Sequence, residues 1–358
     1  MKLFFDARYI RTDFHDGISR YSAELGRALA SLTPVTYLIC DEAQKTVLPP
    51  GARTIMLHRP TSVREPLTSL ILNKYEPDVV FSPMQTLGSA GRNFKLILTL
   101  HDLIYYHHRT PPKQLSALIK IGWRAYHLTY LPQRLTLNRA DMIATVSRTS
   151  RADILSVRLT RLPVVVVPNA AQDLAKYLDG PVKSTKRSRN LIYMGSFMNY
   201  KNVEALIAGM EFLPGYRLHL LSRITPRRKA ELQKCIPKGA EVIFYGGVSD
   251  KRYAEILADS AILVSASRDE GYGLPLAEAL QLGVPAVVSD LKIHREVAGN
   301  GALYFPPNHP QIFSEKIKQL DDDKIRTNLI HEGREHIKQF NWQKSATVLL
   351  ESARKLLN

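Results

Sequence analysis

A chain of 358 residues with 45% hydrophobic and 23% charged residues has the composition of a globular protein of two ordinary domains. No apolar run approaches membrane-spanning length, which excludes a transmembrane protein at this stage. The excess of 49 Lys and Arg over 33 Asp and Glu gives a net charge of +16, so we expect anionic partners: phosphates, nucleic acid or an acidic membrane surface.

Cysteine usage and the amino-terminal residues indicate where the protein works. Cys40 and Cys235 are far apart and lack metal or redox spacing, so both are interpreted as free thiols of a reducing compartment. Charged residues interrupt the start of the chain before a signal-peptide core can form. We therefore expect a cytoplasmic protein, either free or peripheral at the inner face of the membrane.

The first half of the chain predicts a parallel, doubly wound sheet, because short apolar strands alternate with helices. Leu3–Ala7 is the first expected strand, and Gly17 opens a helix that runs to about Leu32. Free amides at such a helix start can hold an anion, although an ordinary turn is the alternative. The next strands expected in this half are Val35–Cys40, Thr54–Leu57, Val79–Ser82 and Leu96–Leu100.

His101 directly follows the strand Leu96–Leu100. Ligands of doubly wound sheets gather at the carboxyl ends of the strands, so His101 is a candidate functional residue. The alternative is a structural histidine that is hydrogen-bonded to Asp102.

The segment between Asp102 and Asp141 contains no acidic residue. At about 100° per residue, a helix here has a basic stripe on one side and apolar residues on the other. The basic stripe comprises Lys113, Lys120, Arg124 and His127, and the apolar side comprises Leu115, Leu118, Ile119 and Tyr126. We expect the apolar side to dock on the sheet. The basic side is either a solvated face or a surface for anionic lipid or a lipid-diphosphate acceptor.

A change of composition divides the chain after the apolar strand Val164–Val167. Glycine, proline and basic residues then mix in a stretch that is typical of a linker. The predicted organisation is an N-terminal domain over residues 1–170, a linker over 171–189, a C-terminal domain over 190–338 and a terminal segment over 339–358.

The second half repeats the alternation of strands and helices. The expected strands are Leu191–Met194, Leu218–Leu221, Val242–Tyr245, Ala261–Val264 and Val284–Val288. Lys201 stands at the junction of the first of these strands with a helix, where a lysine can reach a phosphate; a surface lysine is the alternative. The acidic run Asp321–Asp323 is interpreted as a solvated helix terminus, and no metal site is expected.

The stretch from Ser267 to Asp290 carries the strongest chemical signal. Glu270 and Glu278, eight positions apart, flank a glycine-containing loop and the start of a helix for which Pro275 is the expected first residue. Amides at a helix start favour an anion, and carboxylates accept hydrogen bonds from hydroxyls. A sugar nucleotide offers both groups. The alternative is a plain βαβ unit in which the glutamate only complements the helix dipole.

The run Glu270-Gly-Tyr-Gly-Leu-Pro-Leu-Ala-Glu278, followed by Gly283-Val-Pro285, resembles the Glu-x7-Glu signature of the family-4 retaining glycosyltransferases of the GT-B fold. Shorter segments resemble the same family, among them Gly17-Ile-Ser-Arg-Tyr, the His101-Asp pair and Gly195 to Asn202. The resemblance implies two doubly wound Rossmann-like domains with the active site in the cleft between them. It also implies that the terminal helix crosses back to the first domain.

The resemblance also implies roles for individual residues. Glu270 would meet the donor sugar, Glu278 the nucleotide ribose and Lys201 the diphosphate. Ser196 replaces an arginine of many members, and Arg223 is the candidate substitute. The implied catalytic residues are His101, Lys201 and Glu270. The implied donor-binding residues are Gly17, Ser196, Lys201, Arg223, Glu270, Gly271, Tyr272, Gly273, Leu274 and Glu278.

The expected function is metal-independent, retaining transfer of a hexose, with mannose favoured, to a glycan or lipid-linked acceptor in cell-surface polysaccharide or glycolipid assembly. The donor would be a nucleotide-diphospho-sugar, GDP-mannose ahead of a UDP-sugar, with no cofactor and no nucleic-acid partner. One alternative is an epimerase or phosphorylase on the same fold. The other is a basic nucleic-acid-binding protein, which the net charge of +16 would explain.

Overall fold

The computed structural model describes residues 1–13, 16–111, 116–180, 182, 189–259 and 261–358. The chain forms two compact units. The first contains Met1–Asn169 together with Phe340–Asn358, and the second contains Ala170–Gln339. Part of the segment predicted as a linker lies in the second unit, where the 3-10 turn Ala175–Tyr177 packs on the helix Asp250–Ala258.

Within the described residues, the first unit has a seven-stranded sheet in which all neighbouring strands are parallel. The strands are β1 Leu3–Asp6, β2 Val35–Ile39, β3 Arg53–Met56, β4 Val79–Ser82, β5 Lys95–Thr99, β6 Met142–Thr145 and β7 Val164–Val166. Their order is β3-β2-β1-β4-β5-β6-β7, so the winding direction reverses beside β1. This arrangement confirms the predicted doubly wound parallel fold.

The described residues before β7 form six α-helices: α1 Gly17–Ala30, α2 Thr68–Asn73, α3 Ile104–His107, α4 Ala117–Tyr126, α5 Leu131–Leu137 and α6 Arg148–Ser156. Helix α1 starts at the predicted residue and ends two positions before Leu32. Its buried stripe includes Tyr21, Leu25 and Leu29, four positions apart, as expected for one face of an amphipathic helix.

Helix α4 tests only part of the prediction that an apolar face docks on the sheet, because Leu115 and the side chain of Leu118 lie outside the described residues. Ile119, assigned to that face, is 57% exposed, and no side chain described in α4 is buried. The contacts of the helix run through aromatic rings instead: Trp123 stacks on His127 with centroids 4.0 Å apart and meets Tyr105 edge to face at 5.4 Å. His127 therefore belongs to this half-buried cluster and not to a basic stripe.

A network of buried charges lies at the carboxyl end of β1. Arg8 pairs with Asp6 through Nε at 2.8 Å and with Glu65 through Nη1 at 2.7 Å, and the Arg8 side chain is fully buried. His58 Nε2 lies 3.0 Å from Glu65 and 3.0 Å from the Thr68 hydroxyl. One buried guanidinium thus donates charge-assisted hydrogen bonds to two carboxylates, Asp6 and Glu65.

In the described part of the second unit, a six-stranded sheet is also parallel throughout. Its strands are β8 Asn190–Tyr193, β9 Arg217–Leu220, β10 Glu241–Phe244, β11 Ala261–Ser265, β12 Ala286–Ser289 and β13 Leu303–Phe305. The order β10-β9-β8-β11-β12-β13 places β8 beside β11, so the winding reverses between these two strands. β13 is a strand for which the sequence analysis made no prediction.

The helices of the second unit are α7 Val203–Gly209, α8 Pro226–Gln233, α9 Asp250–Ala258, α10 Leu274–Leu282, α11 Lys292–Ala298, α12 Pro310–Gln319 and α13 Asp323–Ile337. Helix α10 begins at Leu274, one residue before the predicted start at Pro275, because Gly273 serves as its N-cap. Asp322 caps α13 by accepting hydrogen bonds from the amides of Lys324 and Ile325, in agreement with a helix terminus.

The last helix, α14 Trp342–Lys355, packs on α1 in the first unit. The Ser345 hydroxyl donates a 2.7 Å hydrogen bond to the Pro168 carbonyl, and the rings of Trp342 and Tyr21 lie 6.1 Å apart. The carboxyl-terminal segment thus completes the first unit. No helix in the described ranges combines the length and apolarity needed to cross a bilayer.

Replacing Arg8 with leucine should destabilise the first unit by about 3–5 kcal/mol, because two buried carboxylates lose their only strong cation in the network described above. Both tryptophans, Trp123 and Trp342, lie in this unit, so their fluorescence during urea unfolding reports on it directly. Arg27→Leu is the matched control, since Arg27 forms a half-exposed pair with Glu24 worth at most about 1 kcal/mol. Similar losses in both variants would contradict the assigned role of Arg8.

Candidate functional site

A cavity of about 70 Å³ opens at the carboxyl ends of β8 and β11 in the second unit. These strands are neighbours across the point where the winding reverses, which is where doubly wound sheets bind ligands. The polar and glycine residues on its wall are Tyr193, Gly195, Lys201, Ser265, Ser267, Glu270, Gly273 and His294. The sequence predictions for Lys201, Glu270 and Gly273 therefore converge on one place.

The loop between β8 and α7 carries Lys201, and Asn202 fixes its position. Asn202 has φ 52°, in the left-handed region that asparagine tolerates better than most residues. Its buried side-chain amide donates to the carbonyls of Ala266 at 3.1 Å and Pro307 at 2.6 Å. The Arg268 amide also donates to the Tyr200 carbonyl at 2.7 Å. The two loops at the cavity rim are thus joined backbone to backbone.

Lys201 and Glu270 form an ion pair through Nζ and Oε2. The side chains are 13% and 17% exposed, so the pair is largely shielded from water yet open to the cavity. The Ser267 hydroxyl donates to the same carboxylate oxygen at 3.4 Å. A cation and a carboxylate held side by side can contact a phosphate and a hydroxyl of the same ligand.

Gly273 shapes the wall of the cavity at the start of α10. Its φ of 91° is a conformation that side chains with a Cβ rarely adopt, so glycine is required here. No side chain within the described residues caps this helix start. The positive end of the α10 dipole therefore lies beside Lys201 and favours negative charge in the cavity.

Other members of the predicted motif lie behind the cavity wall. Glu278 is buried, one turn into α10. Tyr272 is also buried, and burial raises the pKa of its phenol. Gly271 is buried, and Leu274, the first residue of α10, is half-buried. The donor contacts predicted for these four residues remain predictions.

Ser196 and Arg223 are both exposed, and neither belongs to the described residues that line the cavity. The aliphatic part of Arg223 packs over Gly247, with its Cγ 2.8 Å from where a Cβ of that glycine would stand. The diphosphate contact predicted for Arg223, in place of the arginine that Ser196 replaces, remains a prediction.

Gly17 is the first residue of α1, as predicted. The side chain of Asp16 caps this helix by accepting a 2.9 Å hydrogen bond from the Ser19 amide. A carboxylate of the chain itself therefore takes one of the amides at which the sequence predicts an anion. The contact of Gly17 with a donor phosphate remains a prediction.

His101 follows β5 in the first unit and is held by a carbonyl. Its Nε2 lies 2.8 Å from the Pro83 carbonyl oxygen, which can only accept, so this nitrogen carries the proton. Asp102, the alternative partner considered from the sequence, instead accepts from the Ile104 amide at 3.0 Å. Burial lowers the pKa of His101, although the Pro83 carbonyl and Asp16 oppose the shift. The ring is therefore neutral, with Nδ1 as an acceptor.

Lys120 and Arg124 lie on α4, where Arg124 is exposed and Lys120 half-buried. Lys113, the third basic residue predicted for this surface, lies outside the described residues. His294 is a cavity residue that sequence reasoning missed, because a lone histidine within a short helix carries no motif. In the described ranges, no three His, Cys, Asp or Glu side chains gather as metal ligands.

Two family models match consecutive parts of the chain. The model of Glycosyltransferase Family 4 matches residues 15–172, and the model of Glycosyl transferases group 1 matches residues 179–336. Together they span both units. The second match contains the whole cavity wall described above.

Known proteins similar to this chain agree with the family models. O-antigen chain mannosyltransferase B of Escherichia coli is 29% identical over 241 residues, which are 62% of this chain and 62% of that protein. The match thus spans under two thirds of this relative's length.

Solved structures share the fold over nearly the whole chain. Sucrose-phosphate synthase from Thermosynechococcus elongatus superposes with a TM-score of 0.77 at 20% identity, covering 99% of both chains. HepE of Anabaena in complex with UDP-glucose gives a TM-score of 0.73 at 16% identity, covering 99% of this chain and all of the other.

Asn202→Gly should loosen the two rim loops, because glycine keeps the left-handed backbone but leaves the Ala266 and Pro307 carbonyls without their donor. A cost of about 1–3 kcal/mol is expected for those buried acceptors. Hydrogen exchange read by mass spectrometry should show faster exchange in peptides that cover residues 195–202 and 265–268. Asn199→Gly, at an exposed position of the same turn, should leave exchange unchanged. Equal protection in both variants would mean that Asn202 does not hold the loops.

Proposed function

Because this chain belongs to the family-4 glycosyltransferases of the GT-B fold, we propose that it transfers mannose from a nucleotide-diphospho-sugar to a glycan or glycolipid acceptor, with retention of configuration and without a metal. The observation that carries the proposal is the placing of Lys201, Glu270 and the start of α10 around one cavity at the reversal between β8 and β11. Cation, carboxylate and helix dipole are the groups that a diphospho-sugar requires.

The chemistry proposed is electrostatic. The bond between the sugar carbon and the diphosphate oxygen breaks, and a bond from the acceptor hydroxyl oxygen to that carbon forms on the same face. The acceptor proton passes to the leaving diphosphate. Lys201 and the amides at the start of α10 stabilise the negative charge that grows on this group. Glu270 orients the sugar and, through its ion pair, holds Lys201 at the phosphate position.

The preference for mannose and GDP-mannose draws on the relatives. The Escherichia coli relative is a mannosyltransferase that acts on the O-antigen chain, according to its name. The HepE structure was solved with UDP-glucose, which supports a nucleotide-sugar donor and keeps a UDP-sugar as the alternative. By the same relatives, the acceptor is proposed to be a growing cell-surface polysaccharide or a lipid-linked glycan.

The alternatives considered from the sequence find no support in these comparisons. The family models and the relatives described above are glycosyltransferases, and none of their names points to an epimerase, a phosphorylase or a nucleic-acid-binding protein. Glu270 on the cavity wall would also repel a nucleic-acid backbone. We therefore assign the excess positive charge to another partner.

That partner is proposed to be an anionic lipid surface that α4 and α5 contact at the inner face of the membrane. Five large apolar side chains on or between these helices are 57–62% exposed: Ile119, Ile121, Leu128, Leu131 and Leu135. Basic residues accompany them, and the sequence from Leu103 to Ala140 contains no acidic residue. Apolar groups beside cations match the acyl and headgroup layers of such a membrane.

Calorimetric titration of GDP-mannose, UDP-glucose and UDP-N-acetylglucosamine tests the donor. We expect GDP-mannose to bind most tightly.

Glu278→Ala should weaken binding of bare GDP by about 1.5–3 kcal/mol, because the ribose loses charge-assisted hydrogen bonds. Glu270→Ala should reduce turnover more than GDP affinity, because Glu270 lines the cavity assigned to the sugar.

Equal loss of GDP binding in the two glutamate variants would contradict this division of roles. If none of the three nucleotide sugars binds at submillimolar concentration, the proposed activity itself is wrong.

Co-sedimentation with vesicles tests the lipid surface. The wild type should bind vesicles that contain phosphatidylglycerol, release them as salt rises and ignore neutral vesicles, since each basic residue near an anionic surface is worth about 1 kcal/mol. Lys120→Gln with Arg124→Gln should weaken binding, and so should Ile121→Ser with Leu128→Ser. Controls of matched chemistry are Lys234→Gln with Lys238→Gln and Val63→Ser, all at exposed positions that do not belong to α4 or α5.

Binding that is lost equally in the control variants would show only an effect of net charge or solubility. A wild type that ignores anionic vesicles would leave α4 and α5 as a solvated face.

A further inference from the structure

His294 combines burial with a position on the cavity wall. It lies on α11, is 1% exposed and lines the same cavity as Lys201, Glu270 and Gly273. Neither the motif around Glu270 nor the role proposed for Lys201 involves it. A titratable ring at the wall of a sugar site therefore has no function assigned so far.

The proton of His294 is fixed on one nitrogen. Nδ1 lies 2.8 Å from the Ser289 carbonyl oxygen, and because a carbonyl only accepts, Nδ1 must donate. Burial lowers the pKa of His294, as does Lys201, whereas the Ser289 carbonyl and Glu270 oppose the shift. The ring is thus neutral near pH 7, and Nε2 carries a lone pair instead of a proton.

Ser289 is itself immobilised, which makes the ring orientation rigid. Its hydroxyl donates a 2.6 Å hydrogen bond to the Ser267 carbonyl, and Ser267 is another residue of the cavity wall. The chain from Ser267 through Ser289 to His294 therefore links the loop before α10 with the ring. A support of this kind is what holds a binding group in a productive geometry.

The lone pair of Nε2 lies at the junction of the ligand-binding groups. A Cβ on Gly273 would be 3.8 Å from Nε2 and 3.7 Å from Glu270 Cγ, so the ring edge, the helix start and the carboxylate side chain meet there. Within the described part of the chain, no hydrogen bond to Nε2 is formed. This acceptor is therefore available to a ligand in the cavity.

We propose that His294 Nε2 accepts a hydrogen bond from one hydroxyl of the donor hexose and makes His294 a specificity-determining residue. The inference rests on the proposed function. A neutral acceptor beside the Glu270 carboxylate requires a hydroxyl hydrogen at that place, whereas Lys201 meets the phosphates. A donor sugar that lacks this hydroxyl leaves the buried lone pair unpaired and is rejected.

Two variants separate this role from a structural one. In His294→Asn, the amide nitrogen takes the place of Nδ1 and keeps the donor to Ser289, but the acceptor at Nε2 is lost. In His294→Gln, the amide oxygen takes the place of Nε2 and keeps an acceptor there. We expect about tenfold weaker GDP-mannose binding in the Asn variant, a smaller loss in the Gln variant and GDP binding within about twofold of wild type in both.

A series of deoxyfluoro-mannose donors identifies the hydroxyl, because fluorine cannot donate a hydrogen bond. In the wild type, one position of substitution should cost about tenfold in affinity, and in His294→Asn the penalty at that position should disappear. Unchanged melting temperatures establish that the variants are folded.

The outcomes separate the two proposals. If GDP and GDP-mannose fail to bind the wild type, the proposed donor is wrong. If GDP-mannose binds and His294→Asn weakens GDP and GDP-mannose equally, or weakens neither, His294 only supports the wall and this inference is overturned.

Discussion

The reversal of winding between β8 and β11 is the constraint on which the site depends. Parallel strands deliver the residues that follow them to the same edge of the sheet, and at the reversal two adjacent strands lead into separate loops. The loop after β8 brings Lys201 and the loop after β11 brings Glu270 and Gly273. An ion pair between residues 69 positions apart is therefore a direct consequence of strand order.

The two units use buried charge in different ways. In the first unit, Arg8 is enclosed by Asp6 and Glu65, so the charges satisfy each other and hold the end of β1. In the second unit, the pair of Lys201 and Glu270 keeps partial exposure toward a cavity. A fully enclosed network contributes to structure, whereas a pair with one open side retains hydrogen-bonding capacity for a ligand.

Helices α4 and α5 depart from the rule that apolar faces pack inside. Trp123 of α4 contacts Tyr105 of α3 and the ring of His127, which follows α4, whereas the aliphatic side chains Ile121 and Leu128 remain exposed. Exposed aliphatic groups cost free energy in water, so a covering surface would stabilise this region. The same stretch of sequence has no acidic residue, which is compatible with the anionic lipid surface proposed above.

The sequence by itself determined the class of fold and the core of the site. Alternation of apolar strands with helices predicted two parallel sheets, with strand limits mostly correct to one residue, because a buried strand is marked by its own local pattern. Glu270, Gly273 and Lys201 were predicted from glycine and charge at strand-to-helix junctions together with the resemblance to the family-4 glycosyltransferases, and the structure brings them to one cavity. The start of α10 was misplaced by one residue, since Gly273 rather than Leu274 is the cap.

Only the tertiary structure decided what depends on distant partners. Whether the apolar side of α4 is covered depends on which element packs there, and helical periodicity does not contain that information; Ile119 proved exposed. The partner of His101 is Pro83, 18 positions away, and not the adjacent Asp102. His294 lies at the cavity because β12, which precedes its helix, pairs with β11, and because its ring is hydrogen-bonded to the Ser289 carbonyl. A residue type and its neighbours fix local conformation, but the folded chain alone determines which buried groups meet.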